Sequence, residues 1–420
     1  MRVLLVGINY APDLIGVAKY TTELCENLAA DGHEVQVITA PPYYPAWQIP
    51  QGYEAAYFRE RHENGVSLTR VPIYVPERPS GAKRLVHHAS FALTSAGHVL
   101  AKAMMWRPDL MVSVAPSLMS AAFVAFVARS IGIKSWLHLQ DFEVDAAFDL
   151  GLLRSARLRR IMLWVEKRIL KSFDRVSSIS PQMLGRLESK GLNPDKLREV
   201  RNWVDTKSII SVDRDTRFRS ELGLKKTDAI GLYSGTMSNK QGLDLIVEAA
   251  ALLEKSHPNI HFVLCGDGPH KTKLMAQSSG RPNIHFLGLQ PNEFFNELLA
   301  TADFHLLPQK AEAADLVLPS KLAAVFSSGR PVIAMAGPDT GLAAEVMGAG
   351  LVITPGDPQA LADAVHRLSE DEALSQSLGS NARTRALERW DRQSILSYWT
   401  REMFEISGQS VSAQTANQAI

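Results

Sequence analysis

Short apolar runs alternate with longer stretches of helical period from the first residues onward. Arg2–Val6, Glu34–Thr39, Leu110–Val114, Lys134–Leu139 and Arg175–Ile179 are near-continuous hydrophobic runs of strand length, and Ala18–Asp31 has the spacing of a helix. Strands that are apolar on both faces and separated by helices predict a parallel sheet covered on each side. The rhythm then starts afresh. Ala229–Tyr233, His261–Leu264, Ile284–Leu287, Phe304–Leu307, Pro331–Ala334 and Leu351–Ile353 read as strands, and Gly242–Leu253 as a helix. Two separate series predict two doubly wound α/β domains of Rossmann-like type, joined near Val204–Asp215, with ligand at the carboxyl ends of the strands. Ala373–Ile406 reads as helical almost throughout, and Ser407–Ile420 as a small, polar, disordered tail.

Length supports the doubling: 420 residues exceed what one hydrophobic core usually organises. Composition is that of a globular protein, 46% hydrophobic and 21% charged. With 45 Lys plus Arg against 44 Asp plus Glu, the net charge of +1 argues against nucleic acid as a partner. Cys25 and Cys265 fall in different predicted domains without His or Cys at ligand spacing, which fits a reducing, cytoplasmic setting and no zinc site. The Met1–Gly7 start is too promptly broken for a signal peptide. Leu110–Ala128 carries no charge and just reaches spanning length, but Pro116 and its serines divide it into a buried strand and a core helix.

Four loops at predicted strand ends carry candidate chemistry. Gly7–Gly16 leads from the first strand into a helix, where Gly16 lets backbone N–H groups approach an anion or simply makes a tight turn. Ser234–Gly242 follows a strand and opens a helix. Within it Gly235, Thr236 and Lys240 suit a pyrophosphate, Lys240 being otherwise a solvated surface lysine. A charge-assisted hydrogen bond at ~1.5–3 kcal/mol outweighs a helix dipole at ~0.3–1 kcal/mol, so the lysine matters more than the helix end. Gly266-Asp267-Gly268-Pro269 closes another strand with a sharp turn, read as a loop lining the ligand cleft. Asp315–Leu322 leads into a helix. There Ser320 is a candidate cap behind Pro319, Ser320 and Lys321 offer N–H groups to phosphate, and Asp315 offers a carboxylate to sugar hydroxyls.

In their order these elements resemble the large retaining glycosyltransferase family 4, over nearly the whole chain. Gly32-His33-Glu34-Val35, Asn202-Trp203-Val204-Asp205, Gly266-Asp267-Gly268-Pro269, Phe286-Leu287-Gly288, Ala302-Asp303 and Ser328-Gly329-Arg330-Pro331-Val332-Ile333-Ala334 carry the likeness. Tyr10-Ala11-Pro12, Gln140–Asp145 and Asp315-Leu316-Val317 with Pro319-Ser320-Lys321 resemble the colanic-acid fucosyltransferase subgroup. The resemblance implies a GT-B fold, two Rossmann-like domains facing a central cleft. It divides the chain into an acceptor-side domain at 1–205, a nucleotide-sugar domain at 206–385, a helix at 386–406 crossing back to the first domain, and a tail at 407–420.

It further implies a nucleotide-diphosphate sugar, GDP- or UDP-linked, as donor, with a fucose-type or related deoxy sugar favoured. The implied acceptor is a polyprenyl-diphosphate-linked saccharide of exopolysaccharide or O-antigen synthesis, and no metal or cofactor is required. The chain departs from the family's Glu-x7-Glu pair, whose positions fall on Leu316 and Ala324, and the family's Arg before Lys240 falls on Thr236. His138, Gln140, Asp141 and Glu143 end a strand where the family often places a His-Asp pair, and form the acceptor-side set. Asp141 is the candidate for orienting acceptor or donor sugar, with a helix cap as its other reading, and Asp145 follows. Asp141, Lys240 and Lys321 are the catalytic candidates. Retention of configuration follows if the departing diphosphate, met by Lys240, Lys321 and main-chain amides, takes the acceptor's proton on the same face. Asp213-Arg214-Asp215 mimics a metal-binding Asp-x-Asp but falls in the connector, a surface position.

Arg154–Lys171 is a basic amphipathic pattern on which Ile161, Trp164, Val165 and Ile169 share a face, and Lys83–His88 adds further cations. Such a helix lies on an anionic leaflet, here the cytoplasmic face of the inner membrane, or docks on its own sheet with a solvated back. Two other functions fit the same architecture: a nucleotide-sugar epimerase, and a transferase-like subunit that binds nucleotide sugar without turnover.

Overall fold

The structure, a computed structural model, describes residues 1–13, 16–53, 59–145, 156–210, 213–310 and 318–409, without the side chains of 59–62, 156, 158 and 240. The chain forms two compact units, Met1–Arg201 with residues from Ser394 onward, and Asn202–Gln393.

The first unit is built on an eight-stranded sheet: β1 (Arg2–Gly7), β2 (Glu34–Thr39), β3 (Arg59–Glu63), β4 (Val66–Arg70), β5 (Leu110–Ala115), β6 (Lys134–Leu139), β7 (Arg175–Ser178) and β8 (Leu197–Glu199). The order is β3-β4-β2-β1-β5-β6-β7-β8, parallel except for the β3–β4 edge pair. Helices α1 (Val17–Ala30), α2 (Gly81–Met105), α3 (Leu118–Ile131), α4 (Ala156–Ser172) and α5 (Pro181–Ser189) connect the strands. The central strands are buried end to end, as their uninterrupted apolar sequences require. Leu110–Ala128 divides between β5 and α3. Among the described residues no helix is long and apolar enough to cross a membrane.

The second unit holds six parallel strands, β9 (Ala229–Ser234), β10 (Ile260–Cys265), β11 (Ile284–Leu287), β12 (Phe304–Leu307), β13 (Val332–Met335) and β14 (Gly350–Ile353), ordered β11-β10-β9-β12-β13-β14. Its helices include α6 (Asp244–Leu253), α7 (Leu322–Ser327), α8 (Pro358–Glu370) and α9 (Glu372–Arg389). The long helical stretch read at the C-terminus is two helices, broken at Trp390-Asp391. There the Val204 N–H donates to the Trp390 carbonyl at 2.9 Å and the Arg392 N–H to the Val204 carbonyl at 3.0 Å.

The second helix of that pair, α10 (Arg392–Ser407), supplies the first unit from Ser394 on. Trp399 is fully buried, its ring centroid 4.5 Å from that of Trp136 on β6. The buried Glu402 carboxylate pairs with Arg175 and, at 2.6 Å, with Arg198. The sheet's face between β6 and β7 is thus closed by an element remote in sequence.

Two glycines show how closely the second unit's loops pass. Gly266 has φ 139°, and a Cβ there would lie 2.1 Å from the Gly235 carbonyl oxygen; at Gly268, with φ 152°, it would lie 2.3 Å from the Met237 oxygen. Gly266→Ala is therefore expected to destabilise the second unit by ~2 kcal/mol or more, read as a lower thermal midpoint. Gly97→Ala is the control. Its Cβ meets nothing within 4 Å on exposed α2, and it should stabilise by ~0.5–1 kcal/mol.

Candidate functional site

In the first unit β1 lies between β2 and β5, so the chain leaves it in one direction and returns on its other side. The crevice this leaves at the strands' carboxyl ends is where ligands bind in open parallel sheets. A cavity of about 540 Å³ occupies it, walled by Asn9 and Gly16 after β1, Tyr43, Tyr44 and Trp47 after β2, and Pro116 and Leu118 at the start of α3. Asp141, Glu143 and Val144 follow β6, and α2 and α4 complete the wall. Gly16 adopts φ 68° immediately before α1.

Strand alternation separates the acceptor-side candidates. Asp141 and Glu143 line the cavity, whereas Trp136, His138 and Gln140 share the opposite face. His138 is buried, its ring edge-on to Trp399 at 5.1 Å. Gln140 Nε2 donates to His138 Nε2 at 3.1 Å, so the imidazole proton sits on Nδ1 and is donated to Ser177 Oγ at 2.8 Å. Ser177 also accepts from Trp136 Nε1 at 2.8 Å. Burial holds His138 down to about 3, a neutral ring throughout the physiological range. His138 and Gln140 thus hold the C-terminal helix in place rather than face the cavity.

Glu143 accepts from the backbone N–H of Ser117 and, at 3.1 Å, of Leu118, and so closes the N-terminus of α3. Ser117 is held at φ 111°, a strained conformation for a residue with a side chain. Burial raises Glu143 to about 7 against the pull of those two hydrogen bonds. Asp141 is raised by its crowded setting, while the Phe142 N–H, donating at 2.8 Å, opposes this. Asp145 instead pairs with Lys190 at 3.0 Å, a lysine shared with buried Glu166. The opposite wall is aromatic: Tyr43 and Trp47 have centroids 5.5 Å apart, and the Arg84 guanidinium lies over Trp47 at 5.3 Å. His88 beside them is lowered to about 4 by burial and carries no charge near neutrality. Two acids raised by burial, Glu143 to about 7, facing rings and methyls suit hydroxyl-bearing ligands.

The second unit repeats the reversal, with β9 between β10 and β12, and gathers a different chemistry. Gly235 follows β9, and a Cβ there would come 2.8 Å from Lys321 Nζ. That ammonium lies 3.8 Å from the centre of the Tyr233 ring, whose hydroxyl donates to the Thr236 carbonyl at 2.7 Å. Burial lowers Lys321 to about 7, and among the described residues no carboxylate pairs with it. Thr236 is exposed beside it. The neighbouring loop joins through Gly235 N–H to the Cys265 carbonyl at 2.9 Å and Met237 N–H to the Asp267 carbonyl at 2.8 Å. The Asp267 carboxylate accepts from the Gly268 N–H at 2.8 Å and otherwise faces solvent. Lys310, after β12, donates to Asn239 at 2.9 Å and crosses the same gap.

Lys240 lies in the short turn Asn239–Gln241, its side chain outside the described residues, as are Asp315 and Leu316 altogether. Ser320 is exposed and does not cap α7: the cap position is Lys321, without a side-chain hydrogen bond, and the Pro319 carbonyl accepts from the Leu322 N–H at 2.9 Å. The expected serine cap fails because the helix starts one residue later than the Pro-Ser step implies. Ala324 is buried in the apolar core of this unit. In Asp213-Arg214-Asp215, Arg214 pairs with Asp303 at 2.6 Å and Asp215 with Lys226, both surface pairs. Tyr233, Lys310, Tyr43, Tyr44, Trp47 and Arg84 had no signal in the sequence beyond their place in loops or a basic run.

Residues 16–203 match the family described as glycosyl transferase 4-like domain, and residues 214–385 that described as glycosyl transferases group 1. The putative colanic acid biosynthesis glycosyl transferase WcaI of Escherichia coli is 40% identical over 337 residues, covering 78% of this chain and 82% of that protein. Among solved structures, sucrose-phosphate synthase from Thermosynechococcus elongatus superposes with TM-score 0.72 at 20% identity over 98% of this chain and 100% of that one. Anabaena HepE, in complex with UDP-glucose, does so with TM-score 0.67 at 16% identity over 96% and 100%. These two likenesses establish the fold, two parallel-sheet Rossmann-like domains of GT-B type.

Glu143 yields a prediction independent of any substrate. Its folded value of about 7 lies above the ordinary 4.5, so the folded state holds the extra proton between them and this contribution to stability is lost as pH rises through that window. Relative to wild type, Glu143→Gln should therefore gain stability from about pH 5 to about pH 8, by up to ~1.4 kcal/mol per pH unit in urea denaturation. A difference that stays flat with pH would show an ordinary, solvated carboxylate.

Proposed function

The chain belongs to the glycosyltransferases, and on that premise we propose that it is a retaining enzyme moving a fucose-type or related deoxy sugar from a GDP- or UDP-linked donor to a lipid-linked saccharide, in the synthesis of a colanic-acid-like exopolysaccharide. The observation that carries the reading is Lys321: an ammonium half-buried at the carboxyl edge of a parallel sheet, beside a glycine that leaves room, with no carboxylate to neutralise it among the described residues. Such a group is completed by an anion, and a diphosphate fits at a strand end of this kind.

In this reading the acceptor hydroxyl attacks the anomeric carbon as the bond to the diphosphate breaks. A diphosphate oxygen takes the hydroxyl proton on the face it is leaving, so configuration is retained. Lys321 and Lys240 absorb the charge that develops on the leaving group. Asp141 orients the acceptor hydroxyl from the first unit's cavity, and Glu143 holds the start of α3 beneath it. The ribose contact is not a glutamate on α7, where Ala324 stands; Lys310 and Asn239, bonded to each other at 2.9 Å, are polar groups that can take its place.

The enzyme works at the cytoplasmic face of the inner membrane. On α4, Ile161, Trp164 and Val165 are 59%, 57% and 41% exposed, with Arg168 against the Trp164 ring. Ile169, expected on that face, packs inward with Met162 and Leu163.

Three outcomes are expected. Lys321→Met should fold normally and bind nucleoside diphosphate ~10–100-fold more weakly by calorimetry, the loss of one charge-assisted hydrogen bond. Because the free amine titrates near 7 and an anion favours its charged form, binding at about pH 8 should take up close to one proton, read as a dependence of the heat on buffer ionisation. Unchanged affinity with no proton uptake would remove the diphosphate from this site. Sedimentation with anionic liposomes should fall as salt is raised; retention indifferent to salt and lipid charge would count against the membrane surface.

A further inference from the structure

The lining of the first unit's cavity is more apolar than a saccharide requires. Leu118 and Met119 of α3, and Ile161, Met162, Val165 and Ile169 of α4, bring only hydrocarbon and thioether to it. Ile161 and Val165 line the cavity and are also exposed, so its mouth opens on the outer face of α4. Arg157, Trp164 and Arg168 lie on or beside that face, Arg160 and Lys167 are exposed further round the helix, and the helix's one acid, Glu166, is turned inward onto Lys190. Arg84 is the only Lys or Arg among the described lining residues, and its planar guanidinium, stacked on Trp47, suits a phosphate. Three carboxylates also line the cavity: Glu143 is bound to the N–H groups that open α3, Glu166 to Lys190, and Asp141 follows β6. With two of the three already partnered, apolar walls, a mouth on an exposed apolar and cationic helix and one arginine suit a lipid phosphate. A volume of about 540 Å³ lies within the usual range of small-molecule sites, ~300–1,000 Å³.

We propose that this cavity holds the phosphate-proximal isoprene units of the carrier lipid, the chain against Ile161, Val165, Leu118 and Met119 and the phosphate on Arg84. The proposal rests on the lipid-linked acceptor named above and adds where its lipid is seated. Chain contact, and not the saccharide alone, then sets acceptor affinity.

Geranyl, farnesyl and geranylgeranyl phosphates, each below its critical micelle concentration, are titrated into the full-length protein by calorimetry, with inorganic phosphate and UDP or GDP in parallel. Affinity should rise about tenfold per added isoprene unit until the cavity is filled. Val165→Asp and Arg84→Gln should each weaken farnesyl phosphate at least tenfold while leaving nucleotide binding unchanged. Leu93→Asp, on exposed α2 and outside the cavity, should change neither. The proposal is overturned if chain length has no effect, if Leu93→Asp weakens the lipid as much as Val165→Asp, or if Val165→Asp alters only the protein's oligomeric state in light scattering. Failure of nucleotide binding in the wild-type protein would instead overturn the donor reading, whatever the lipid series shows.

Discussion

In each unit the order of parallel strands reverses beside one central strand, β1 in the first and β9 in the second. Connections leave such a pair in opposite directions, so no helix can cover the gap at the strands' carboxyl ends. Every residue assigned a chemical part lies on a loop or helix end that this gap draws together. Gly16, Pro116 and Glu143 meet at one, and Gly235, Lys310 and Lys321 at the other. Gly266 and Gly268 follow from the same constraint: where neighbouring loops pass with backbone in contact, no Cβ fits.

The two crevices share a topology and differ in electrostatics. Desolvation disfavours whichever charged form is present, so it raises Asp141 and Glu143 in one and lowers Lys321 in the other. In the first unit the helix N-terminus that might receive a phosphate is already filled by the protein's own carboxylate, Glu143. In the second, Lys321 stands without a carboxylate partner among the described residues. The electrostatics thus suit an anion at the second unit's strand ends and hydroxyls at the floor of the first. The single arginine on the wall of the first cavity is the exception, and it sits among apolar side chains.

The first unit's face near β6 depends on a third element. Trp136, His138 and Gln140 alternate with the cavity-facing side and are buried under α10, fixed by Trp399 and by Glu402 between Arg175 and Arg198. The placement of Asp141 is thus set from behind, by packing of residues that never meet a ligand. A neutral His138 suits that role, since a charged imidazole would be buried without a counter-ion.

Most central strands were legible because a strand buried on both faces must be apolar throughout, and such runs stand out in any sequence. The short edge strands β3 and β8, β4 beside β3, and the long helix α2 were not read, since their patterns are mixed and their pairing depends on neighbours remote in the chain. The serine cap at Ser320 and the unbroken C-terminal helix were local readings, displaced by a later helix start and by the Val204 bridge at Trp390. Trp47 and Lys310 in loops, Arg84 in the first turn of α2 and Tyr233 at the end of β9 carry no signal of a site, and only folding brings them to a crevice. The sequence by itself determined the two parallel sheets, the anion-suited loops and the ordered motifs of the family, because each rests on local composition and spacing. Which of His138, Gln140, Asp141 and Glu143 faces the cavity, and that Lys321 is half-buried beside a glycine, only the tertiary structure decided, because burial and partners across the chain set them.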